Sequence, residues 1–129
     1  MLKKILLIDD EADFCFFIKQ NLMRLGGVDV SYANDPDEGI KIARKIIPDI
    51  ILLDVMMPKK SGLEVMKILK KDKKTMAIPI VMLTAVQDDQ TKTTAYELYG
   101  EDYLLKPIAF DDLKEKIEEI FRRQSAFGK

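Results

Sequence analysis

The sequence predicts an α/β fold of five strand–helix units, (βα)5, in which a parallel sheet is covered by helices on both faces. Two observations carry this expectation. Short aliphatic blocks alternate along the chain with longer segments whose apolar residues recur at helical spacing. Most of the blocks are continuously apolar, the pattern of strands buried on both faces. Strands that alternate with helices imply right-handed crossovers and parallel pairing.

The elements follow in order. Lys3 to Asp9 carries Ile5-Leu6-Leu7-Ile8 and reads as a central strand. Glu11 to Leu25 reads as a helix, with Phe14, Ile18, Leu22 and Leu25 on its core face, Phe17 able to share it, and Gly26-Gly27 as its stop. Val28, Val30 and Tyr32 alternate with polar residues, as in a half-exposed edge strand. Asp35-Pro36-Asp37-Glu38 is a helix start: a cap residue, proline at the first helical position, then acids. Ile40, Ala43 and Ile47 give that helix its buried face, and Pro48 bounds it. Ile50 to Leu53 is a buried strand ending at Asp54. A helix is expected from about Gly62 to Lys70, burying Leu63, Met66 and Leu69 or their neighbours. Ile78 to Leu83 is a strand ending at Thr84, and Asp88 to about Tyr99 a weaker helix. Tyr103 to Leu105 is a short strand ending at Lys106-Pro107. Asp111 to Phe121 is the last helix, packing Leu113, Ile117, Ile120 and Phe121, and Arg122 to Lys129 reads as a loose tail.

Size and composition narrow the function. The 129 residues suffice for one domain, and 47% apolar with 33% charged residues is a globular mixture. A net charge of −1 does not call for nucleic acid or an acidic membrane. The single cysteine, Cys15, cannot form an internal disulfide, and no segment is long and apolar enough to span a bilayer. A cytoplasmic location is the expectation. The chain has no histidine, which excludes a Ser-His-Asp triad, a Cys-His pair and histidine zinc sites. Carboxylates, lysine and hydroxyls remain for chemistry.

Ligands of such sheets bind at the carboxyl ends of the strands. The residues there are Asp9 and Asp10, Asp54, Thr84 and Lys106. Neighbouring strands lie about 5 Å apart, so the three carboxylates are expected to share one pocket. Alone they repel; a hard divalent cation, Mg2+ above all, removes the conflict. Carboxylates around a cation, without histidine, point to phosphoryl chemistry, in which a carboxylate can serve as nucleophile. Lys106 would bring a second positive charge and Thr84 a compact hydroxyl donor. Taken singly, Asp9-Asp10 reads as a helix cap, Asp54 as a loop start, Thr84 as a strand end and Lys106-Pro107 as a surface turn. Their joint placement is the signal. The seven lysines between Lys59 and Lys74 read as a solvated face, interrupted by Glu64 and Asp72.

The motifs Ile8-Asp9-Asp10-Glu11, Leu53-Asp54-Val55-Met56-Met57-Pro58 with Gly62, Leu83-Thr84-Ala85, and Asp102-Tyr103-Leu104-Leu105-Lys106-Pro107 closely resemble those of bacterial two-component response regulator receiver domains. The resemblance covers Lys3 to Phe121 and implies a receiver domain over residues 1–122, with 123–129 a tail or the start of a linker. It implies a flavodoxin-like, doubly wound sheet of strand order 2-1-3-4-5. It assigns Asp54 as phosphoacceptor, with Asp10, Asp54 and the backbone carbonyl of Met56 on Mg2+ and Asp9 acting mainly through water. Lys106 would contact the phosphoryl group ahead of a cis bond to Pro107, and Thr84 with Tyr103 would form the switch pair.

The implied partners are a sensor histidine kinase or phosphotransfer protein, an output protein or domain, and a second copy in a phosphorylation-linked homodimer. Neither nucleic acid nor membrane is a direct partner. Phe16, which points away from Phe14 and Ile18, is expected to touch the kinase. The chain would be a signalling module and not an enzyme. Two departures stand out. Tyr99-Gly100 replaces the family's common Gly-Ala, and Met56 and Val86, two residues beyond Asp54 and Thr84, are both apolar. Poor placement of water there would prolong the phosphorylated state, and Val86→Glu would then release phosphate faster. Tyr96, Tyr99 and Tyr103 suit a partner surface around the weak helix.

The competing readings are a Mg2+-dependent phosphohydrolase working through an aspartyl-phosphate, and a flavodoxin-like redox carrier. The first lacks a second acid two residues beyond Asp54, where Met56 stands. The second lacks a hydroxyl-rich loop after the first strand, where Asp9-Asp10-Glu11 stands.

Overall fold

The structure is a computed structural model in which residues 2–84 and 102–126 are described. In chain order these residues form β1 (Lys3–Ile8), α1 (Ala12–Leu25), β2 (Val28–Ala33), α2 (Pro36–Ile46), β3 (Ile50–Asp54), α3 (Gly62–Lys71), β4 (Ile80–Thr84), β5 (Asp102–Leu105) and α4 (Phe110–Ala126). The five strands make one parallel sheet of order β2-β1-β3-β4-β5, the flavodoxin-like arrangement expected. The helix expected over Asp88 to Tyr99 lies outside the described residues.

Side chains alternate across the sheet and divide the core in two. Leu6, Ile8, Ile51, Leu53, Ile80 and Met82 meet α2 and α3 through Ile40, Ala43, Val65, Met66 and Leu69. Ile5, Leu7, Ile50, Leu52, Val81 and Leu83 meet α1 and α4 through Cys15, Ile18, Leu22, Leu113, Ile117 and Ile120. Burial on both faces is why the central strands are written as aliphatic runs. Among the described residues no helix is long and apolar enough to cross a membrane.

Local signals set the helix ends. Asp35 caps α2, accepting from the N–H groups of Asp37 and Glu38, and Pro36 opens the helix. Ser61 and Glu64 form a reciprocal capping box at α3. Gly26 and Gly27 end α1 at φ 82° and 81°, a conformation that costs glycine little.

The structure corrects four details. The core line of α1 runs Cys15, Ile18, Leu22, so Phe17, two residues round from Cys15, is 55% exposed. Leu25, the last residue of α1, is also exposed. Ile47 leaves the face of α2 because it takes a left-handed φ of 46° after the last turn. Residues 122–126, expected as loose tail, continue α4, and Arg123 in this stretch holds Asp102 of β5 at 2.6 Å.

Candidate functional site

Strand register builds the site. Ile8 lies opposite Leu53, so the next residues, Asp9 and Asp54, emerge side by side. Asp54 lies opposite Leu83, one residue before Thr84, and Thr84 lies opposite Leu105, one residue before Lys106. The Lys106 N–H donates to the Thr84 carbonyl at 2.8 Å, keeping the two strand ends together. Carboxylate oxygens of Asp9, Asp10 and Asp54 all lie within 4.8 Å of one another. Asp9 (0% exposed) and Asp54 (3%) form the floor, and Asp10 faces solvent.

The Lys106 ammonium is drawn into this cluster, 2.7 Å from Asp9 Oδ2, 3.1 Å from Glu11 Oε1 and 3.5 Å from Asp54 Oδ1. Burial, and then the charge of Asp9, push the Asp54 carboxyl up to about 6, against the pull of Lys106. Burial also raises Asp9, although Lys106 and the Glu11 N–H favour its charged form. Burial alone would lower Lys106, but the hydrogen bond and charge of Asp9, with Asp54 and Glu11, hold it above its ordinary value. One ammonium therefore faces three carboxylates, and the Asp10 carboxylate lies beside two of them. The surplus of negative charge in this all-oxygen set fits a hard divalent cation, for which Asp9, Asp10 and Asp54 supply the oxygens.

The loop after Asp54 is pinned. The Val55 N–H donates to Leu83 and the Gly62 N–H to the Val55 carbonyl, at 2.9 and 2.8 Å. A Cβ on Gly62 would fall on the Asp54 carbonyl oxygen and stand 2.8 Å from Val55 Cα, so only glycine admits this approach. Lys59 and Lys60 tie the loop to Asp35 and Asp37 at 3.1 and 3.2 Å, and Lys70 donates to the Met76 and Ile78 carbonyls. These three lysines of the basic segment thus serve internal contacts.

The structure gathers Asp9, Asp10, Asp54 and Lys106 directly. Thr84 is buried at the adjoining strand end, and Met56 is exposed on the loop. Tyr103 lies on β5 opposite Met82 and is 44% exposed. The Lys106–Pro107 bond is cis. Val86, Tyr96, Tyr99 and Gly100 lie outside the described residues.

Four residues at the site are given no role there by the sequence reading. Glu11 pairs with Lys106, and the Phe14 ring centre lies 4.8 Å from the same ammonium. Asn34 and Cys15 both donate to the Asp9 carbonyl. Burial, and then the charge of Asp9, push the Cys15 thiol up to about 12, so it stays protonated. Asn34 follows the last residue of β2, and the strand-end rule, applied to β2 as to the others, would have found it.

Comparison with known proteins agrees with this geometry. Residues 5–118 match the response regulator receiver domain family. The alkaline phosphatase synthesis transcriptional regulatory protein PhoP of Bacillus subtilis (strain 168) is 41% identical over 123 residues, covering 95% of this chain and 50% of that protein. The phosphate regulon transcriptional regulatory protein PhoB of Escherichia coli (strain K12) is 35% identical over 129 residues, covering 97% of this chain and 54% of that protein. The chain thus spans about half the length of the curated relatives it matches. A CheY-like response regulator receiver domain protein from Methanospirillum hungatei JF-1 superposes with a TM-score of 0.90 at 25% identity, covering 99% of this chain and 100% of that one. With its strand order, its carboxylate cluster and this match over most of its length, the chain belongs to the response regulator receiver domain family.

Proposed function

We propose that the chain is a phosphoacceptor of a two-component phosphorelay, taking a phosphoryl group from a histidine kinase or phosphotransfer protein onto Asp54. The observation that carries this reading is the buried Asp54 carboxylate, grouped with those of Asp9 and Asp10 and 3.5 Å from the Lys106 ammonium. Burial pushes the Asp54 carboxyl up to about 6, still below neutral pH, which leaves a carboxylate to act as nucleophile. A carboxylate oxygen then attacks phosphorus. The bond from phosphorus to the donor nitrogen breaks, its electron pair stays on the donor imidazole, and an acyl phosphate forms on Asp54. Mg2+, held by Asp9, Asp10, Asp54 and the Met56 carbonyl, would neutralise charge on the transferring group. Lys106 leaves its carboxylate partners to meet a phosphoryl oxygen, and Thr84 donates its hydroxyl to another.

The new group carries about −1.5 to −2 charges and three acceptor oxygens, enough to bias two conformations of a partner surface through Thr84 and Tyr103. PhoP of Bacillus subtilis and PhoB of Escherichia coli are transcriptional regulatory proteins of about twice this length, which supports an output domain or partner that acts on transcription. The protein works in the cytoplasm, where histidine kinases display their phosphohistidine.

The test is incubation with phosphoramidate, a small phosphohistidine mimic, and Mg2+, followed by intact-mass measurement. One phosphoryl group should be added per chain, and none to Asp54→Asn or in the presence of a chelator. Addition that persists in Asp54→Asn refutes the reading. Steady multiple turnover of phosphomonoesters would instead identify a phosphohydrolase.

A further inference from the structure

Behind the carboxylate cluster, the carbonyl oxygen of Asp9 accepts from two side chains. Asn34 Nδ2 lies 2.9 Å away and Cys15 Sγ 3.4 Å away, and the same Asn34 amide is 3.4 Å from the Cys15 sulfur. Asn34 is not the cap of α2, since Asp35 fills that role. Its amide reaches from the end of β2 to the end of the neighbouring β1, 25 positions back.

The peptide bearing this carbonyl joins Asp9 to Asp10, and both carboxylates belong to the cluster. The direction of that carbonyl fixes ψ of Asp9 and φ of Asp10, the two torsions that set how their side chains lie relative to each other. The Asp9 N–H is anchored on the Ala33 carbonyl at 3.1 Å, and Asp9 Oδ1 accepts from the Glu11 N–H at 3.0 Å. With those ends held, the carbonyl is the remaining handle on the plane. Outer partners of this kind set the spacing of ligand groups without touching the ion.

We propose that Asn34 is a positioning residue for the divalent cation, its amide holding the Asp9–Asp10 peptide so that both carboxylates converge with Asp54. The inference rests on the phosphoacceptor reading above and names a residue which that reading does not use. Loss of the Asn34 amide should weaken cation binding by about tenfold, the lower end for such partners, because the Cys15 thiol still donates to the same oxygen.

The experiment uses the full chain and Mn2+, with free Mn2+ followed by its electron paramagnetic resonance signal in wild type, Asn34→Ala and Asp54→Asn. Mg2+ dependence of phosphorylation by phosphoramidate is measured alongside, with thermal unfolding in chelator. The expected result is a Mn2+ dissociation constant raised about tenfold in Asn34→Ala and a Mg2+ midpoint raised by the same factor. The plateau rate should hold, and the metal-free melting temperature should fall by no more than about 4 °C, the effect of one lost hydrogen bond. Equal Mn2+ affinity in wild type and Asn34→Ala overturns the proposal, as does a lower plateau at an unchanged Mg2+ midpoint. If wild type takes up no phosphoryl group, or Asp54→Asn takes it up as well, the phosphoacceptor reading itself fails and this inference falls with it; phosphorylation without Mn2+ binding overturns this inference alone.

Discussion

Asp54→Asn should stabilise the metal-free protein, and the gain should depend on pH. Burial and the neighbouring Asp9 raise the Asp54 carboxyl from 3.8 to about 6. That displacement corresponds to about 3 kcal/mol of destabilisation once the group is ionised. The folded carboxyl holds its proton more tightly than the unfolded one. Stability from this group is therefore full below about pH 4, declines as pH rises towards about 6, and is level above that. That penalty already includes the pull of Lys106 at 3.5 Å; asparagine removes the charge but leaves a buried amide that needs partners of its own. If half of the penalty is recovered, the gain near pH 8 is about 1.5 kcal/mol, or about 6 °C in melting temperature for a domain of this size. Thermal unfolding followed by circular dichroism, in chelator, at a series of pH values would measure it. The gain should shrink towards zero near pH 4, where wild-type Asp54 is protonated. Saturating Mg2+ should narrow the gap at pH 8 by stabilising the wild type alone. Equal melting temperatures at pH 8, or a gain of the same size at pH 4, would refute the electrostatic account.

Three further perturbations test other parts of the site. Gly62→Ala forces a methyl group onto the Asp54 carbonyl and should cost about 3 kcal/mol or more in urea unfolding, with phosphorylation lost in step. Lys106→Met leaves fully buried Asp9 without its ammonium and should cost about 3 kcal/mol at pH 8, and the loss should shrink as pH falls, because burial holds the Asp9 carboxyl above its ordinary value; a loss that does not change with pH would rule out the charge as its origin. Phe16, 56% exposed on α1, should leave stability within about 0.5 kcal/mol when changed to alanine, yet slow phosphotransfer from the cognate kinase about tenfold; an unchanged rate removes it from the docking surface.

Much of the fold was legible because it is written in local patterns. Aliphatic runs such as Ile50 to Leu53 announce strands covered on both faces, and Asp35-Pro36 announces a helix start. The errors arose where periodicity leaves a choice. On α1, Phe14-Cys15-Phe16-Phe17-Ile18 is apolar throughout, so spacing alone cannot say how far the core face extends; the sheet chose Cys15 and Ile18 and left Phe17 outside with Phe16, whose exposure was expected. Ile47 stays in phase with α2 by count, but its left-handed backbone turns it out. The continuation of α4 through Arg123 depends on Asp102, 21 positions away, which no local pattern displays.

The sequence by itself determined the class of fold, the alternation of elements and the strand ends at which Asp9, Asp10, Asp54, Thr84 and Lys106 stand. Those depend on residues close in the chain and on the periodicities of helix and strand. Tertiary structure alone decided how the charges are partnered. It brought Lys106 across 97 positions to Asp9, set Glu11 and Phe14 beside the same ammonium, and turned the Asn34 amide onto the carbonyl behind the carboxylates. Such contacts are made when β1 comes to lie between β2 and β3, because parallel register puts the ends of separate strands at one edge of the sheet.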